Sequence, residues 1–300
     1  MPVAVLARTL RGIESIARDE VRARLGIEEI EVGHRELRFS VPELVPGLLA
    51  LGTVDDVFRV LAEVEGVTRR RDSLAQLASL SLDLGAATTF DVTASFLGKR
   101  NYNRFELEEA VSASVRATRV ARGGAVSLRV HVVGEVATVA ARIGRTPLHR
   151  RAYRVATVPG SVHPPLARAL ALLAAEPFVD PFCGAGTIPI EGALAGLRTR
   201  GSDSDPAAIE AARLNAAAAE VDVPFEVADA ATLGETDCIV TNPPWGKAVP
   251  AARVQLHARR LVLLTAEPTG LDHVVLEQAV RVHGALATIT VVEASSPTSR

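Results

Sequence analysis

The spacing of apolar residues over positions 2–65 predicts a small α+β unit. Apolar and polar residues alternate in "PVAVLAR" as in a half-buried strand, whereas "GIESIARDEVRARLG" repeats its apolar residues at helical spacing and ends on a glycine that can cap a helix. "IEEIEVGHRELRFSV" predicts two short strands, and "VPELVPGLLALGTVDDVFRVLAEVEG" predicts a helix followed by a strand. The resulting β-α-β-β-α-β order indicates a ferredoxin-like fold.

The pattern over residues 66–155 predicts a second small unit. "TFDVTASFLG" alternates as a strand, "RFELEEAVSASVRATRVA" has helical spacing, and "AVSLRVHVVGEVATVAARIG" predicts two strands that turn at Gly134 and Glu135. The basic stretch "TPLHRRAYR" follows without a regular pattern. We therefore expect separate domains at residues 1–65 and 66–155.

A third domain, residues 156–300, is expected after the Pro, Gly and Ser cluster at 159–165, which marks the clearest boundary. Short apolar strands then alternate with helical segments, as in "FVD", "TIPIEGALAGL", "RTRGSD" and "PAAIEAARLNAAAAE". That order predicts a parallel, doubly wound α/β sheet. "AVRVHGALATITVVE" adds two strands, which we expect to form an antiparallel hairpin at the sheet edge.

Charge is distributed unevenly along the 300 residues, although the net charge is only −2. Positions 98–154 hold twelve Lys and Arg against four acids, a net +8, so the remaining residues carry −10. Such a basic block predicts a polyanionic partner. No apolar run reaches 18 residues and charges appear early, so we expect a cytoplasmic protein without a membrane span or signal peptide. Cys183 and Cys238 are too few for a disulfide framework or a metal cluster.

A glycine-rich turn follows the first strand of the third domain, in "FVDPFCGAGTIPIEGA". Gly184 and Gly186 would let the backbone approach a ligand before a helix whose N-terminal amides favour negative charge. The turn is not the dinucleotide fingerprint, because Pro189 occupies the position of the third glycine. By itself the turn is also compatible with an ordinary strand-to-helix connection.

Acidic residues follow the next two predicted strands. Asp203 in "GSDSDP" can bind the two hydroxyls of a ribose, whereas Asp205 is better explained as a helix cap before a proline. Asp229 in "EVADA" can accept a hydrogen bond from an adenine amino group, although alone it would be an ordinary loop acid. The turn and both acids should share one crevice, because open α/β sheets bind ligands beyond the carboxyl ends of their strands.

The segment "TNPPWG" ends the fourth strand beside the same crevice. Asn242 offers an amide oxygen, and Pro243 and Pro244 fix the backbone and leave a carbonyl without a neighbouring N–H group. These acceptors suit the exocyclic amino group of a base, on which Trp245 could stack. The alternative is a proline-rich loop with one buried tryptophan, which leaves the position at the strand end unexplained.

"DPFCGAGT", "GSDSDP", "VADA" and "NPPW" together resemble the S-adenosylmethionine-dependent amino-methyltransferases. "SFLGKRNYNRFELEEAV", "IGRTPLHRRAYR" and "SVHPPLARALALL" resemble a THUMP domain joined to such a catalytic domain, as in RNA guanine-N2 methyltransferases. The resemblance implies a Rossmann-like methyltransferase domain, a doubly wound sheet with an antiparallel edge hairpin, preceded by an α+β ferredoxin-like and THUMP RNA-binding module. It covers most of the chain and is weakest before residue 60.

The resemblance also implies residue roles. S-adenosylmethionine would be bound by His163, Asp180, Gly184, Gly186, Thr187, Asp203, Asp229 and Asn242. Catalysis would use Asn242, Pro243, Pro244 and Trp245. His163 would lie near the methionine end, although a position at a helix start explains it equally well. The basic residues expected to bind RNA are Lys99, Arg100, Arg104, Arg145, His149, Arg150, Arg151 and Arg154. Tyr102 and Tyr153 could stack on bases or pack in the core.

The expected reaction is methyl transfer to the N2 amino group of a guanosine, in tRNA by preference and otherwise in 23S rRNA, by a monomer without a metal. N6-adenine methylation remains an alternative, because that activity shares the Asn-Pro-Pro motif. The segment between Trp245 and Leu261 is fifteen residues long and shorter than in relatives. A non-catalytic RNA-binding paralogue is therefore the third alternative.

Overall fold

A computed structural model describes residues 2–244, 256, 258–282 and 284–294. The strands among these residues form two sheets, one N-terminal and one C-terminal. Trp245 and most of the short segment after it lie outside the described residues. The predicted stacking role of Trp245 therefore stays a prediction.

The N-terminal sheet has the order β2-β3-β1-β4-β8-β7-β5-β6. Its strands are β1 (Val3–Thr9), β2 (Glu31–Gly33), β3 (Glu36–Val41), β4 (Val54–Val64), β5 (Thr89–Phe96), β6 (Thr118–Arg119), β7 (Val126–Val133) and β8 (Val136–Arg142). The helices of this region are α1 (Glu14–Leu25), α2 (Ala75–Ala78) and α3 (Arg104–Ser112). Residues of α1 and α3 pack on the face that carries Val5, Leu128 and Val139, so these helices cover one face of the sheet.

The helix predicted after residue 41 is wrong, because only a 3-10 turn at Pro46–Ala50 precedes β4. Pro46 supplies no backbone N–H group and Gly47 is a poor helix former, so the segment closes one turn and stops. The helix α3 is also shorter than its pattern predicts. Its N-terminus is fixed by a capping box in which the Asn103 side chain accepts hydrogen bonds from the amides of Phe105 and Glu106.

The N-terminal sheet is continuous across the expected boundary between residues 65 and 66. Strand β4 pairs antiparallel with β8, for example at Phe58 with Arg142. Each side of that junction nevertheless has its own cluster of buried apolar residues, one around Leu37 and Leu48 and one around Phe90 and Leu107. The two sequence units are thus joined by main-chain hydrogen bonds rather than by a linker.

The C-terminal sheet has the order β11-β10-β9-β12-β13-β15-β14. Its strands are β9 (Phe178–Asp180), β10 (Thr199–Asp203), β11 (Phe225–Val227), β12 (Thr236–Thr241), β13 (Ala258–Thr265), β14 (Val274–Val282) and β15 (Ala285–Glu293). The helices are α4 (Pro164–Leu172), α5 (Thr187–Leu194) and α6 (Pro206–Ala218). Strands β9 to β13 run parallel, whereas β14 and β15 form an antiparallel hairpin at the edge, so the predicted doubly wound sheet with its edge hairpin is confirmed.

The two sheets are held together by a buried carboxylate on α5. Glu191 is fully buried and accepts hydrogen bonds from Nε of Arg151 at 2.7 Å, from Nε of Arg168 at 3.0 Å and from the hydroxyl of Tyr153 at 2.9 Å. Arg151 also donates to the carbonyl oxygen of Gly52, 2.6 Å away in the N-terminal unit. This network fixes the segment that connects the sheets against both of them.

Candidate functional site

The candidate site lies beyond the carboxyl ends of β9 and β12. The strand order reverses at this point, since β9 leads along the chain to β10 on one side and β12 lies on its other side. Neighbouring chain connections leave opposite faces of the sheet there, which opens a crevice suited to a ligand. A cavity of about 830 Å³ occupies the crevice, within the usual range for a small-molecule site.

Both glycines of the glycine-rich turn adopt a left-handed backbone conformation. Gly184 and Gly186 have φ angles of 52° and 77°, in the left-handed region that favours glycine. The side chain of Asp203 accepts hydrogen bonds from the amides of Gly184 at 2.9 Å and Asp205 at 3.0 Å. Asp203 therefore braces the turn and also lines the cavity, whereas Asp205 caps α6 through the amide of Ala207.

Gly186 serves packing rather than direct approach to the cavity. A Cβ atom at this position would lie 2.8 Å from Cζ of Phe225 and 3.0 Å from Cβ of Ala212. The glycine therefore lets the start of α5 approach α6 and β11. Gly186 does not line the cavity, in contrast to Gly184 and Thr187.

Asp180 is the most deeply buried charged group of the site. Its Oδ1 accepts hydrogen bonds from the hydroxyl of Thr241 at 2.6 Å and from the amide of Phe182 at 3.1 Å. Burial, together with a smaller effect of the nearby Asp203 carboxylate, raises the pKa of Asp180 to about 7, although its two hydrogen bonds lower it. A cation bound in the cavity would favour the ionised carboxylate.

The side chain of Asn242 has an unused acceptor. Its Nδ2 donates a long hydrogen bond of 3.5 Å to the carbonyl oxygen of Gly160, while its Oδ1 is buried and receives no hydrogen bond from any described residue. A buried amide oxygen without a donor costs free energy unless a ligand satisfies it. Pro243 and Pro244 line the same cavity, as the motif predicts.

Sequence reasoning missed part of the wall. The Pro, Gly and Ser cluster at 159–165 predicts only a domain boundary, but residues 158–162 line the cavity, together with Phe182 and Ser204. The side chain of Val158 lies 3.3 Å from a Cβ placed on Gly184. The hydrogen bond from Nδ2 of Asn242 to the carbonyl oxygen of Gly160 connects this segment to the motif, and no sequence signal indicates it.

Besides Gly186, two other expected cofactor residues, His163 and Asp229, do not line the cavity. His163 begins α4 as its N-cap residue, and its Nε2 lies 2.8 Å from Oδ1 of Asp55 in the N-terminal unit. Asp229 is exposed and accepts a hydrogen bond from the amide of Ala231 at 2.9 Å, so it caps a short 3-10 turn after β11. The expected contacts of His163 and Asp229 with a bound cofactor both stay predictions.

The residues expected to bind RNA differ in their exposure and in their contacts. Lys99, Arg104, Arg145 and Arg150 are exposed, as a phosphate-binding role requires. Arg100 donates to the carbonyl oxygens of Val67 and Gly134, and Arg151 is bound to Glu191, so both are committed to internal contacts. His149 and Arg154 are half-buried, and Nδ1 of His149 lies 3.2 Å from the carbonyl oxygen of Asp55.

The two tyrosines of the basic block are buried, which favours core packing over base stacking. Tyr102 and Tyr153 are each 5% exposed, and Tyr102 makes an edge-to-face contact with Phe96. Cys183 is also buried, and burial raises the pKa of its thiol, so it packs as a small apolar residue. Among the described residues, no cluster of three His, Cys, Asp or Glu could hold a metal ion, and no helix could cross a membrane.

Residues 151–258 match the model of the UPF0020 family, an RMKL-like methyltransferase domain. A tRNA (guanine(10)-N2)-dimethyltransferase from Methanothermobacter thermautotrophicus is 41% identical over 97 residues, which are 29% of this chain and 29% of that protein. A tRNA (guanine(6)-N2)-methyltransferase from Archaeoglobus fulgidus is 24% identical over 85% of this chain and 81% of its own length. The chain thus matches under a third of the length of the first relative.

The whole chain is also similar to a solved structure. The crystal structure of TrmN from Thermus thermophilus has a TM-score of 0.81 and 27% identity, and it covers 98% of this chain and 100% of its own. Both sheets therefore have counterparts in one known protein. The match to the RMKL-like methyltransferase domain of the UPF0020 family covers residues 151–258, about a third of the chain, and includes most of the residues that line the cavity.

Proposed function

We propose that the protein is an S-adenosylmethionine-dependent RNA methyltransferase that modifies the N2 amino group of a guanosine in tRNA. The buried Oδ1 of Asn242 carries the proposal, since it is an unused acceptor on the wall of a cavity in a methyltransferase domain. An exocyclic amino group is the donor that would satisfy it. Guanosine and tRNA are favoured by the names of the two relatives described above.

The cavity residues fit the cofactor. Asp180, Gly184, Thr187 and Asp203 line its floor, where the turn presents backbone amides and Asp180 presents a buried carboxyl group beside any cationic ligand. S-adenosylmethionine, when bound, supplies the methyl group as an electrophilic carbon on sulfonium sulfur. Asp203 already accepts two backbone amides, so a ribose would compete for or share its remaining lone pairs.

Asn242 would position the attacking amine. The lone pair of an exocyclic amine is delocalised into the ring, which makes it a poor nucleophile. Hydrogen bonds from the amine to Oδ1 of Asn242 and to the carbonyl oxygen of Pro243 would favour a tetrahedral nitrogen with its lone pair aimed at the methyl carbon. The nitrogen–carbon bond then forms as the carbon–sulfur bond breaks, and the methylated nitrogen loses its extra proton to water. This route requires no strong general base.

The N-terminal sheet would bind the RNA. We propose that residues 66–155 act as a THUMP-like module and that the exposed Lys99, Arg104, Arg145 and Arg150 contact phosphates. The target base must leave its stack to reach the cavity. We further propose that the protein works as a monomer in the cytoplasm.

Labelled methyl transfer tests the proposal. Purified protein is incubated with radiolabelled S-adenosylmethionine and separate pools of tRNA and ribosomal RNA. We expect label in tRNA, and Asn242→Ala should slow the transfer at least about 100-fold while S-adenosylmethionine binding is kept. Asn101→Ala, at an exposed asparagine outside the cavity, is the matched control and should react at the wild-type rate.

Three results would contradict the proposal. Label in ribosomal RNA alone would move the substrate to the large ribosomal subunit. Binding of S-adenosylmethionine and RNA without transfer would favour the non-catalytic paralogue. A full rate in Asn242→Ala would remove the motif from the mechanism.

A further inference from the structure

One face of the N-terminal sheet carries a cluster of arginines at the end nearest the C-terminal sheet. Side chains alternate along a strand, and α1 and α3 pack on the face that holds Val5 and Leu128. Arg8 on β1, Arg129 on β7 and Arg142 on β8 occupy the alternate positions and therefore face the other way. The strand pairing of β1 with β4, β4 with β8 and β8 with β7 brings these three strands together.

This cluster lines a second cavity of about 830 Å³ between the two sheets. Six arginines and two aspartates line it, namely Arg8, Arg11, Arg35, Arg129, Arg142, Arg281, Asp55 and Asp56. The edge hairpin of the C-terminal sheet supplies Arg281, and its strand is held by a hydrogen bond of 3.1 Å from the amide of Arg281 to the carbonyl oxygen of Arg11. The walls therefore come from both sheets and carry excess positive charge.

The carboxylates near the cavity are already paired. Asp56 accepts from Nε of Arg142 at 2.6 Å, and Glu36 accepts from Arg8 at 2.7 Å. Asp55 lies 2.8 Å from Nε2 of His163. None of the ion pairs among the described residues includes Arg11, Arg35, Arg129 or Arg281. Arg281 donates to the carbonyl oxygen of Gly284 at 3.1 Å, which leaves three guanidinium groups, those of Arg11, Arg35 and Arg129, with neither a carboxylate nor a hydrogen-bond acceptor among the described residues.

Of these three arginines, Arg129 gives the strongest evidence for an anion-binding site. Its guanidinium is half-buried, and no hydrogen bond from it to a described residue is formed. Burial, and next the charges of Arg8, Arg142 and Arg35 against that of Asp56, lower the pKa of Arg129. Like charges held together and partly desolvated oppose folding unless an anion joins them.

Arg35 provides independent support. It adopts a φ of 60° in the turn between β2 and β3, a conformation that is unfavourable for a residue with a Cβ atom. Glu14 holds it there through a hydrogen bond of 3.1 Å to its amide, and its carbonyl oxygen accepts from the amide of Thr9 at 3.0 Å. Its Nε is buried without a hydrogen-bond partner among the described residues. The fold thus fixes the backbone of Arg35, whose buried Nε has no partner among the described residues.

We propose that the cavity lined by Arg8, Arg35 and Arg129 binds a backbone phosphate of the RNA strand whose base is methylated. The proposal rests on the function proposed above. Val282 lines both this cavity and the methyl-transfer cavity, and Val162 and His163, adjacent in sequence, line one each. A strand that places its base beside Asn242 therefore passes the arginine cluster, where guanidinium groups would bind its phosphate through paired hydrogen bonds. Arg129 belongs to the basic block at positions 98–154, but none of these three arginines is among the individual residues that the resemblance assigns to RNA binding.

A charge-removing variant with a matched control tests this site. Arg129→Met keeps an unbranched, flexible side chain and removes the charge. Arg24→Met removes the same charge from an exposed position on α1, on the covered face of the sheet. Binding of bulk tRNA is measured by filter binding from about 50 to about 200 mM salt. Calorimetric S-adenosylmethionine binding and thermal unfolding are measured for each protein.

We expect Arg129→Met to bind tRNA about tenfold more weakly, with a salt slope shallower by about one, and with unchanged S-adenosylmethionine binding. Its Tm should equal or exceed that of the wild type, because the variant removes repulsion. Arg24→Met should match the wild type in every measurement. Lower affinity accompanied by a lower Tm would instead indicate a structural role and overturn the proposal.

Failure of this inference can be separated from failure of the proposed function. If the wild type labels tRNA while Arg129→Met and Arg24→Met bind it alike, the phosphate site is refuted and the methyltransferase stands. Tight binding of inorganic pyrophosphate in the wild type, with RNA affinity unaffected by Arg129→Met, would identify a site for a free anion and also refute the proposal. A wild type that labels no RNA refutes the function itself.

Discussion

The buried carboxyl group of Asp180 makes binding of a cationic cofactor depend on pH. Asp180 is 1% exposed, and its pKa of about 7 means that it is largely protonated at pH 6 and largely ionised at pH 8. S-adenosylmethionine carries a sulfonium and an ammonium group, so it should bind the ionised form more tightly and lower the pKa of Asp180. Binding therefore releases a proton when it occurs below pH 7.

The size of the pH effect on S-adenosylmethionine affinity follows from the pKa of Asp180. If the bound form of Asp180 is ionised throughout, the apparent association constant is proportional to the ionised fraction in the free protein, which is about one eleventh at pH 6 and about ten elevenths at pH 8. Affinity for S-adenosylmethionine should therefore rise about tenfold between pH 6 and pH 8. Nearly one proton should be released for each ligand bound at pH 6.

Isothermal titration calorimetry in two buffers of different ionisation enthalpy measures both quantities. The amino group of the ligand also titrates near pH 8 and would reduce the net change. Asp180→Asn removes the carboxyl group and keeps an oxygen that can accept from Thr241 and Phe182, so it reports the contribution of the ligand alone. If the affinity for S-adenosylmethionine depends on pH equally in the wild type and in Asp180→Asn, ionisation of Asp180 does not control binding.

Two further substitutions test the packing around the site. Glu191→Gln leaves the buried guanidinium groups of Arg151 and Arg168 without a counter-charge, so it should lower the free energy of unfolding by about 3–5 kcal/mol in a urea titration, and a loss below about 1 kcal/mol would contradict the role of this network. Gly201→Ala places a Cβ 2.7 Å from Cε1 of Phe225 and 2.9 Å from Cβ of Cys183, so it should cost about 1–3 kcal/mol in the same assay. Unchanged stability would show that Phe225 can move.

Much of the C-terminal fold could be predicted because its signals are local. Short apolar strands, the Asp-Pro cap at Asp205 and the glycines of the turn each report on their own surroundings. The helix predicted before β4 failed because apolar spacing alone does not reveal that Pro46 and Gly47 limit the segment to one turn. The pattern predicts separate units at residues 1–65 and 66–155 but cannot reveal that they share one sheet, since the pairing of β4 with β8 joins residues far apart in sequence.

The residues of the site likewise include some that local sequence signals predict and some whose contacts come from distant elements. Asp180, Gly184 and Asn242 follow their own strands, so knowledge of strand order sufficed to place them in one crevice. Arg151 and His163 are next to basic or proline-rich stretches in sequence, yet their partners Glu191 and Asp55 come from distant elements. Whether an arginine has a carboxylate partner depends on such long-range contacts, which cannot be predicted from the sequence pattern.

Identification of the methylated nucleoside is the most direct test of the proposal that the protein methylates the N2 amino group of a guanosine. RNA labelled by the wild-type protein is digested to nucleosides, which are separated by chromatography and identified by mass spectrometry. We expect N2-methylguanosine, because Oδ1 of Asn242 is the acceptor assigned to the N2 amino group. N6-methyladenosine as the labelled product would keep the fold and the cavity but contradict the assigned base.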